Sequence, residues 1–349
     1  MRRFLCPNCG NEVHFGNSQC VWCSALLGYM PPEDRILAFA MDQSGTSAPK
    51  ACANRDLIGC NWLCESDAHA LCLSCRHTTL IPDISVETNV SRWARLERSK
   101  RRLFYAMIKF KLPLESGPDG TSGGLHFAFL SDEIGPDGAI ERVMTGHANG
   151  RITINIAEAD DAEREKIRTE MGEPYRTVLG HFRHELGHYY WDKLIAQKPA
   201  TEAFRACFGD ESGDYAEALK AHYAHGPMPG WQISYVSAYA AAHPWEDFAE
   251  TWAHYFHMVD GLETAYAYGI NPQPLRADEP RLIQLENPFH VENVQELIDH
   301  WVPLTVAMNA MNRSLGNQDY YPFVLTPAIL DKLKFVHELI AANEVPFAS

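Results

Sequence analysis

The sequence predicts an α+β protein in which a small cysteine-rich region precedes a larger, mostly helical region with a short β-sheet. Three patterns support this prediction. Nine of the ten cysteines lie within the first 75 of the 349 residues. Long segments with the apolar spacing of helices follow, and one alternating segment with an Asn-Gly pair interrupts them. We expect one domain over residues 1–85 and a second over residues 86–349.

Composition and charge exclude several classes of protein. With 46% apolar and 21% charged residues, the chain is typical of a globular protein that can build a large core. Its formal net charge of −15 argues against electrostatic binding to nucleic acid or to anionic membranes, because both require a cationic surface. The first residues form no apolar leader, and no run of 18 apolar residues occurs. These features predict a cytoplasmic protein.

Two cysteine pairs near the N-terminus have the spacing of a tetrahedral metal site. Cys6 and Cys9 form one Cys-x2-Cys knuckle, and Cys20 and Cys23 form another. Four thiolates spaced in this way close a structural zinc site that leaves no position for water or substrate. The alternatives are disulfides and buried thiols, and zinc is favoured because a cytoplasmic chain rarely holds disulfides.

A second cysteine group offers five candidates for the four positions of another structural zinc site. Only Cys72 and Cys75 have the standard knuckle spacing. The other members of the group are Cys52, Cys60 and Cys64. Spacing alone does not decide which two of these take part. Cys207 stands apart, and we expect it to be a small buried apolar residue.

The remaining elements follow from apolar spacing and turn residues. Residues 91–111 predict a basic amphipathic helix whose charges form a solvated face. Alternation on both sides of Asn149 and Gly150 predicts a β-hairpin, which forms a small sheet with a strand at 125–130. Further helices are predicted at 160–170, 174–196, 214–225, 233–242, 244–269, 294–315 and 328–342.

The helix predicted over residues 174–196 contains an H-E-x-x-H motif formed by His184, Glu185 and His188. Residues four apart share one helix face, so both imidazoles can bind one Zn²⁺ with Glu185 beside it. Gly180 and Gly187 each cost about 1 kcal/mol relative to alanine inside a helix, which indicates that a backbone or a ligand comes close. The alternative is a pair of core histidines that hydrogen bonds satisfy.

A catalytic zinc also requires a third protein ligand and an open position for water. The best candidate is Glu246, in the helix predicted over residues 244–269; Glu250, His254 and Asp247 are the alternatives. An acid in a first helical turn is also favoured by the helix dipole without any metal. If Glu246 binds zinc, Glu250 lies one turn later and can hydrogen-bond a ligating histidine.

The motif and the distant acidic segment resemble the gluzincin metallopeptidases. The segment Glu246-Asp247-Phe248-Ala249-Glu250 is particularly similar to that of lethal-factor-type enzymes, in which the first Glu binds zinc. This resemblance supports Glu246. It also implies a role in transition-state stabilisation for Tyr239, seven residues before Glu246, with Tyr235 as a weaker candidate. The alternative for Tyr239 is an ordinary core aromatic.

Nearly the whole chain, from about residue 3 to about 315, also resembles a bacterial family of zinc-binding metallopeptidases with an N-terminal zinc ribbon. The segments that carry this resemblance are Cys6-Pro7-Asn8-Cys9-Gly10, Cys60-Asn61-Trp62-Leu63, Thr145-Gly146-His147, Ile154-Asn155-Ile156-Ala157-Glu158-Ala159-Asp160, Gly180-His181-Phe182-Arg183-His184-Glu185 and His243-Pro244-Trp245-Glu246-Asp247. It implies a zincin-like domain after the ribbon. It also implies a second zinc set of Cys52, Cys60, Cys72 and Cys75, which leaves Cys64 spare. It implies no particular substrate.

The predicted function is zinc-dependent hydrolysis of peptide bonds. One Zn²⁺ held by His184, His188 and Glu246 lowers the pKa of a bound water, and Glu185 takes its proton as general base. Glu185 then passes that proton to the leaving amine. Zinc and Tyr239 stabilise the developing oxyanion. One or two further zinc ions are structural.

The partners expected are a peptide or protein substrate and, through the zinc ribbon, a second protein. His181, one turn before His184, is expected either to support the site or to contact substrate; a core role fits equally well. Two other functions remain open. One is a non-catalytic protein that binds protein or nucleic acid through the ribbon and the basic segment at residues 92–102. The other is a zinc hydrolase of non-peptide amides or esters.

Overall fold

The computed structural model describes residues 2–41, 48–114, 123–134, 140–170, 173, 176–274, 276 and 284–345. The chain divides into two compact units. The first comprises Met1–Ile167 with the chain end from Val345, and the second is Arg168–Glu344. In the described ranges the strands lie in the first unit and the second is helical, which confirms the α+β class. The domain boundary at residue 85 stays a prediction.

The cysteine-rich region is built from short hairpins and single helical turns. Its elements are β1 (Arg3–Leu5), β2 (Glu12–His14), β3 (Leu26–Met30), β4 (Arg35–Phe39), α1 (Arg55–Ile58) and α2 (Leu73–Arg76). β1 pairs antiparallel with β2, and β3 with β4. Aromatic rings fill its interior: Phe15 lies 4.9 Å from Tyr29 and 5.2 Å from Tyr105, between ring centroids. Tyr105 comes from the helix Glu87–Lys109, so the cysteine-rich region shares a core with that helix.

A mixed four-stranded sheet and a long helix complete the first unit. The elements are β5 (Thr78–Leu80), α3 (Glu87–Lys109), β6 (His126–Leu130), β7 (Glu133–Ile134), β8 (Ile140–Glu141), β9 (Gly146–Ala148), β10 (Arg151–Asn155) and α4 (Asp161–Glu170), which runs into the second unit. The strand order is β5-β6-β10-β9, with β6 parallel to both β5 and β10.

The predicted hairpin is confirmed as the antiparallel pair of β9 and β10. Asn149 and Gly150 connect the strands with φ angles of +50° and +84°. Two consecutive positive φ values are the requirement of a tight type I′ turn, which explains the Asn-Gly pair. A Cβ at Gly150 would lie 2.5 Å from the carbonyl oxygen of Gly124, so the close approach of that backbone also requires glycine.

The charges of α3 do not all form the solvated face that we expected. Lys100 is fully buried, and its ammonium lies 3.0 Å from the Glu97 carboxylate. The ammonium also lies over the rings of Phe127 and Phe129. A buried cation is stable only when it is paired, and Glu97 supplies that pairing.

In its described ranges, the second unit consists of the end of α4, six further helices and short 3-10 turns. The helices are α5 (Val178–Leu194), α6 (Ala200–Phe208), α7 (Tyr215–His225), α8 (Pro244–Ala267), α9 (Val294–Ser314) and α10 (Pro327–Ala342). The 3-10 turns are Trp231–Ile233, Tyr239–Ala242 and Pro288–His290. Most predicted helices are confirmed within a few residues, and α6 was not predicted. Cys207 on α6 is half-buried rather than buried.

The helix predicted over residues 233–242 is wrong, because side chains capture its backbone groups. Thr326 Oγ1 donates to the Ile233 carbonyl at 2.8 Å, and Lys332 Nζ donates to the Ser234 carbonyl at 2.6 Å. Ser237 Oγ accepts from the amide of Ala240 at 3.1 Å. A segment whose carbonyls and amides are bonded in this way does not close a regular α-helical ladder. Two 3-10 turns remain at its ends.

α5 and α8 pack closely at Gly187, where the sequence predicted the approach of a backbone or a ligand. A Cβ at Gly187 would lie 2.8 Å from the Cα of Ala249, so only glycine permits this approach. Thr177 Oγ1 caps the start of α5 through the amide of Gly180, and His243 Nδ1 caps α8 through the amide of Trp245. None of the helices in the described part of the chain is long and apolar enough to cross a membrane.

Candidate metal centres

The four cysteines of the first predicted set converge on one point. The Sγ atoms of Cys6 and Cys23 lie 3.7 Å apart, as do those of Cys9 and Cys20. A disulfide bond would require about 2.05 Å, so these are separate thiols. Sulfur atoms about 2.3 Å from a tetrahedral zinc lie about 3.8 Å from one another. The donor set therefore fits one zinc ion.

The second cluster consists of Cys52, Cys60, Cys72 and Cys75, all of them buried. Cys60 Sγ lies 3.7 Å from Sγ of both Cys72 and Cys75. The amide of Cys72 donates to Cys52 Sγ at 3.4 Å, which holds the fourth sulfur in the group. The structure thus brings together the set that the family resemblance implied, and its spacing also fits zinc.

Cys64 lies outside this cluster. Its Sγ donates to the carbonyl of Ala51 at 3.8 Å. Burial raises the pKa of the Cys64 thiol to about 12, so this side chain stays protonated. The thiol contacts this carbonyl and is not among the four grouped sulfurs, so Cys64 is the spare fifth cysteine.

Serine substitutions at Cys60 and Cys64 are expected to separate the two roles. Cys60→Ser removes a donor, and we expect the loss of one zinc ion and a lower melting temperature, because a structural zinc contributes folding energy. Cys64→Ser should retain the full zinc content. Metal analysis and thermal melting of the purified chains measure both effects. Retention of zinc in Cys60→Ser would contradict the assignment.

A third cluster joins α5 to α8. His184 and His188 project from one face of α5, and Glu246 projects from the first turn of α8. Glu246 Oε2 lies 2.9 Å from His184 Nε2 and 3.4 Å from His188 Nε2, and the two Nε2 atoms are 3.1 Å apart. Nitrogen and oxygen ligands about 2.0 Å from a tetrahedral zinc lie about 3.3 Å from one another. These spacings fit a single ion.

The hydrogen bonds around this cluster leave its converging atoms free to bind a cation. Glu250 Oε1 lies 2.7 Å from His184 Nδ1; a carboxylate only accepts, so Nδ1 donates this hydrogen bond and Nε2 is the nitrogen that faces Glu246 and His188. Ser237 holds the other oxygen of Glu250 at 2.6 Å. Glu246 Oε2 is buried and accepts no hydrogen bond from the described residues, nor does His188 Nδ1 have a partner among them. Such orphaned atoms do not fit a pair of hydrogen-bonded core histidines.

Glu185 lies beside the two histidines and is buried. Its carboxylate Oε1 is 3.3 Å from His181 Nε2, one helical turn earlier. Burial raises the pKa of Glu185, but the His181 hydrogen bond and the charges of the neighbouring imidazoles outweigh it, so the pKa lies below the usual value. The carboxylate is therefore ionised and able to accept a proton.

Tyr239 lies in the 3-10 turn that leads into α8, with its ring centroid 5.9 Å from that of His184. Burial and the negative charge of Glu246 raise the pKa of Tyr239, so its hydroxyl remains protonated and can donate. The weaker candidate, Tyr235, instead packs its ring 4.3 Å from the ammonium of Lys332.

The alternatives to Glu246 as third ligand have other partners. Asp247 Oδ2 forms a buried ion pair with Lys332 Nζ at 2.6 Å. His254 Nδ1 is 2.7 Å from the hydroxyl of Tyr321. Glu250 contacts the far side of the His184 ring rather than the converging atoms. Of these acidic and histidine candidates, Glu246 is the one that the structure groups with both imidazoles.

Sequence reasoning missed two side chains that touch the cluster. The hydroxyl of Tyr215 donates to Glu246 Oε1 at 2.6 Å. The Trp245 ring lies against His188, with 3.7 Å between ring centroids. Trp245 is next to Glu246 in the sequence, and its position in the first turn of α8 was a usable signal. Tyr215 is 31 residues before Glu246 and carries no local signal.

The fold and the three donor clusters define a zinc-binding protein. Comparison with known families is consistent with this class: residues 3–86 match a zinc-ribbon domain, and residues 89–339 match the family described as "Putative zinc-binding metallo-peptidase". The chain belongs to this metallo-peptidase family.

Sequence similarity to three relatives covers nearly the whole chain. One protein of Mycobacterium bovis and two of Mycobacterium tuberculosis, all described as uncharacterized, are each 43% identical over 342 residues. The match covers 97% of this chain and 95% of each relative. No solved structure matches the chain significantly. The relatives therefore support the family and name no substrate.

Proposed function

We propose that this protein is a zinc-dependent peptidase whose zinc is held by His184, His188 and Glu246, with Glu185 as general base. The observation that carries the proposal is the convergence of two imidazole nitrogens and one unsatisfied carboxylate oxygen within 3.4 Å of one another. An ionised carboxylate, Glu185, follows the first of these histidines directly. This combination of three ligands and a base suits water-dependent hydrolysis.

Each side chain around the third cluster would have a separate role in hydrolysis. A zinc ion at this centre would polarise the scissile carbonyl and acidify an attacking water. Glu185 takes the proton of that water and later donates it to the leaving nitrogen. His181 keeps the Glu185 carboxylate in place through its hydrogen bond. The Tyr239 hydroxyl donates to the oxygen on which negative charge develops.

The proposal extends to the rest of the chain. Two zinc ions, each bound by four cysteines, would stabilise the zinc ribbon. The third zinc would take part in the reaction, because its three protein ligands leave a coordination position for water. The substrate would be a peptide or protein, and the site of action the cytoplasm, where reduced thiols remain available for zinc.

A peptide-library digest tests the proposal. The zinc-loaded full chain is incubated with peptides derived from a bacterial proteome, and new termini are identified by mass spectrometry. We expect cleavage that 1,10-phenanthroline abolishes and added zinc restores. The Cys64→Ser chain is the matched control and should cleave like the wild type. A chain that holds zinc at all three clusters and cleaves no peptide would contradict the proposal.

A further inference from the structure

The two oxygens of Glu246 have different surroundings. Oε2 faces both imidazoles, and Oε1 accepts a hydrogen bond of 2.6 Å from the hydroxyl of Tyr215. The carboxylate is 1% exposed, so water does not compete for either oxygen. Tyr215 is thus the side chain that distinguishes one oxygen from the other.

The ring of Tyr215 packs against two residues that precede Glu246 at the start of α8. It packs edge-on against Trp245, at 5.4 Å between centroids, and against His243 at 5.3 Å. Trp245 in turn lies against the ring of His188. The four side chains therefore form a continuous packed row from α7 to the second histidine of the motif.

α7 itself contributes little else that would hold Tyr215 in place. None of the described side chains of this helix is buried. Tyr215 is its first residue, and Asp214 caps the helix through the amide of Glu217 at 3.1 Å. The His222 ring of α7 packs edge-on against Tyr239 at 6.0 Å between centroids. Tyr215 itself contacts Glu246, Tyr239, His243 and Trp245.

We propose that Tyr215 is a positioning residue of the metal centre: its hydroxyl engages one carboxylate oxygen of Glu246 and reserves the other for the ion. The inference rests on the proposed function, because it takes Glu246 as the third ligand. Without this hydrogen bond the carboxylate can rotate and present either oxygen, and a buried acceptor loses its partner. Groups that orient a ligand in this way typically affect metal affinity about 10–100-fold.

Removal of the Tyr215 hydroxyl tests this role directly. Tyr215→Phe keeps the ring packing and deletes the donor, and we expect zinc to bind the third cluster about 10–100-fold more weakly. Affinity is measured on the full chain by competition between zinc and a chelator, with zinc alone as the probe. The matched control is Tyr266→Phe, which removes an exposed hydroxyl near the far end of α8 and should leave the affinity unchanged.

A double-mutant cycle separates positioning from a general structural effect. In a Glu246→Ala background the hydroxyl has no carboxylate to orient, so adding Tyr215→Phe should cause no further loss of zinc affinity. Equal losses with and without Glu246 would overturn the inference. So would a Tyr215→Phe chain that binds the third zinc as tightly as the wild type. A wild-type chain that never binds a third zinc would overturn the proposed function as well.

Discussion

Replacement of both His184 and His188 by alanine is expected to lower the zinc content of the purified chain from three ions to two. The two imidazoles supply two of the three converging ligand atoms of the third cluster, and Glu246 alone cannot retain the ion. The two cysteine clusters belong to the other compact unit and should keep their zinc. Mass spectrometry on protein purified without added zinc measures the count.

The control for this experiment removes two histidines that lie elsewhere. His69 and His225 are exposed and belong to none of the three clusters, so His69→Ala/His225→Ala should keep all three ions. Two ions in both the wild type and the His184→Ala/His188→Ala chain would mean that the third cluster binds no zinc. That result would favour a binding protein over an enzyme.

Glu185→Gln is expected to reduce peptide hydrolysis about 10²–10⁴-fold while the chain keeps its zinc. Glutamine has the same shape as glutamate, but its amide cannot accept the proton of an attacking water. Glu185 is not one of the converging ligand atoms, so the metal should stay bound. The rate is measured on a peptide that the wild type cleaves, and zinc is counted in the same preparation.

The matched control for Glu185→Gln is a Glu→Gln substitution far from the metal centre. Glu338 is exposed on α10, and Glu338→Gln should hydrolyse the peptide at the wild-type rate. Turnover of Glu185→Gln equal to that of the wild type would remove Glu185 from the mechanism. Loss of zinc together with activity would instead show that Glu185 acts on the metal centre and not on the water.

Local patterns in the chain determined the elements of the candidate site. The H-E-x-x-H spacing placed His184 and His188 on one face because a helix repeats every 3.6 residues, and this needs no knowledge of distant contacts. The Cys-x2-Cys spacing of the cysteine knuckles can likewise be recognised from neighbouring residues alone. Gly187 also indicated that a backbone or a ligand comes close, since a glycine inside a helix is unfavourable unless something approaches it. The structure shows that this neighbour is Ala249 of α8.

The tertiary structure alone decided how those elements meet. Residue spacing did not decide which of Glu246, Asp247, Glu250 and His254 is the third zinc ligand. The packing of α8 against α5 brought Glu246 to the imidazoles. The packing of α10 against α8 brought Lys332 to Asp247, a pairing across 85 residues. Helical period and knuckle spacing depend on neighbours along the chain, so the sequence by itself reveals them. Which faces pack together depends on the whole core, so it becomes visible only after the chain has folded.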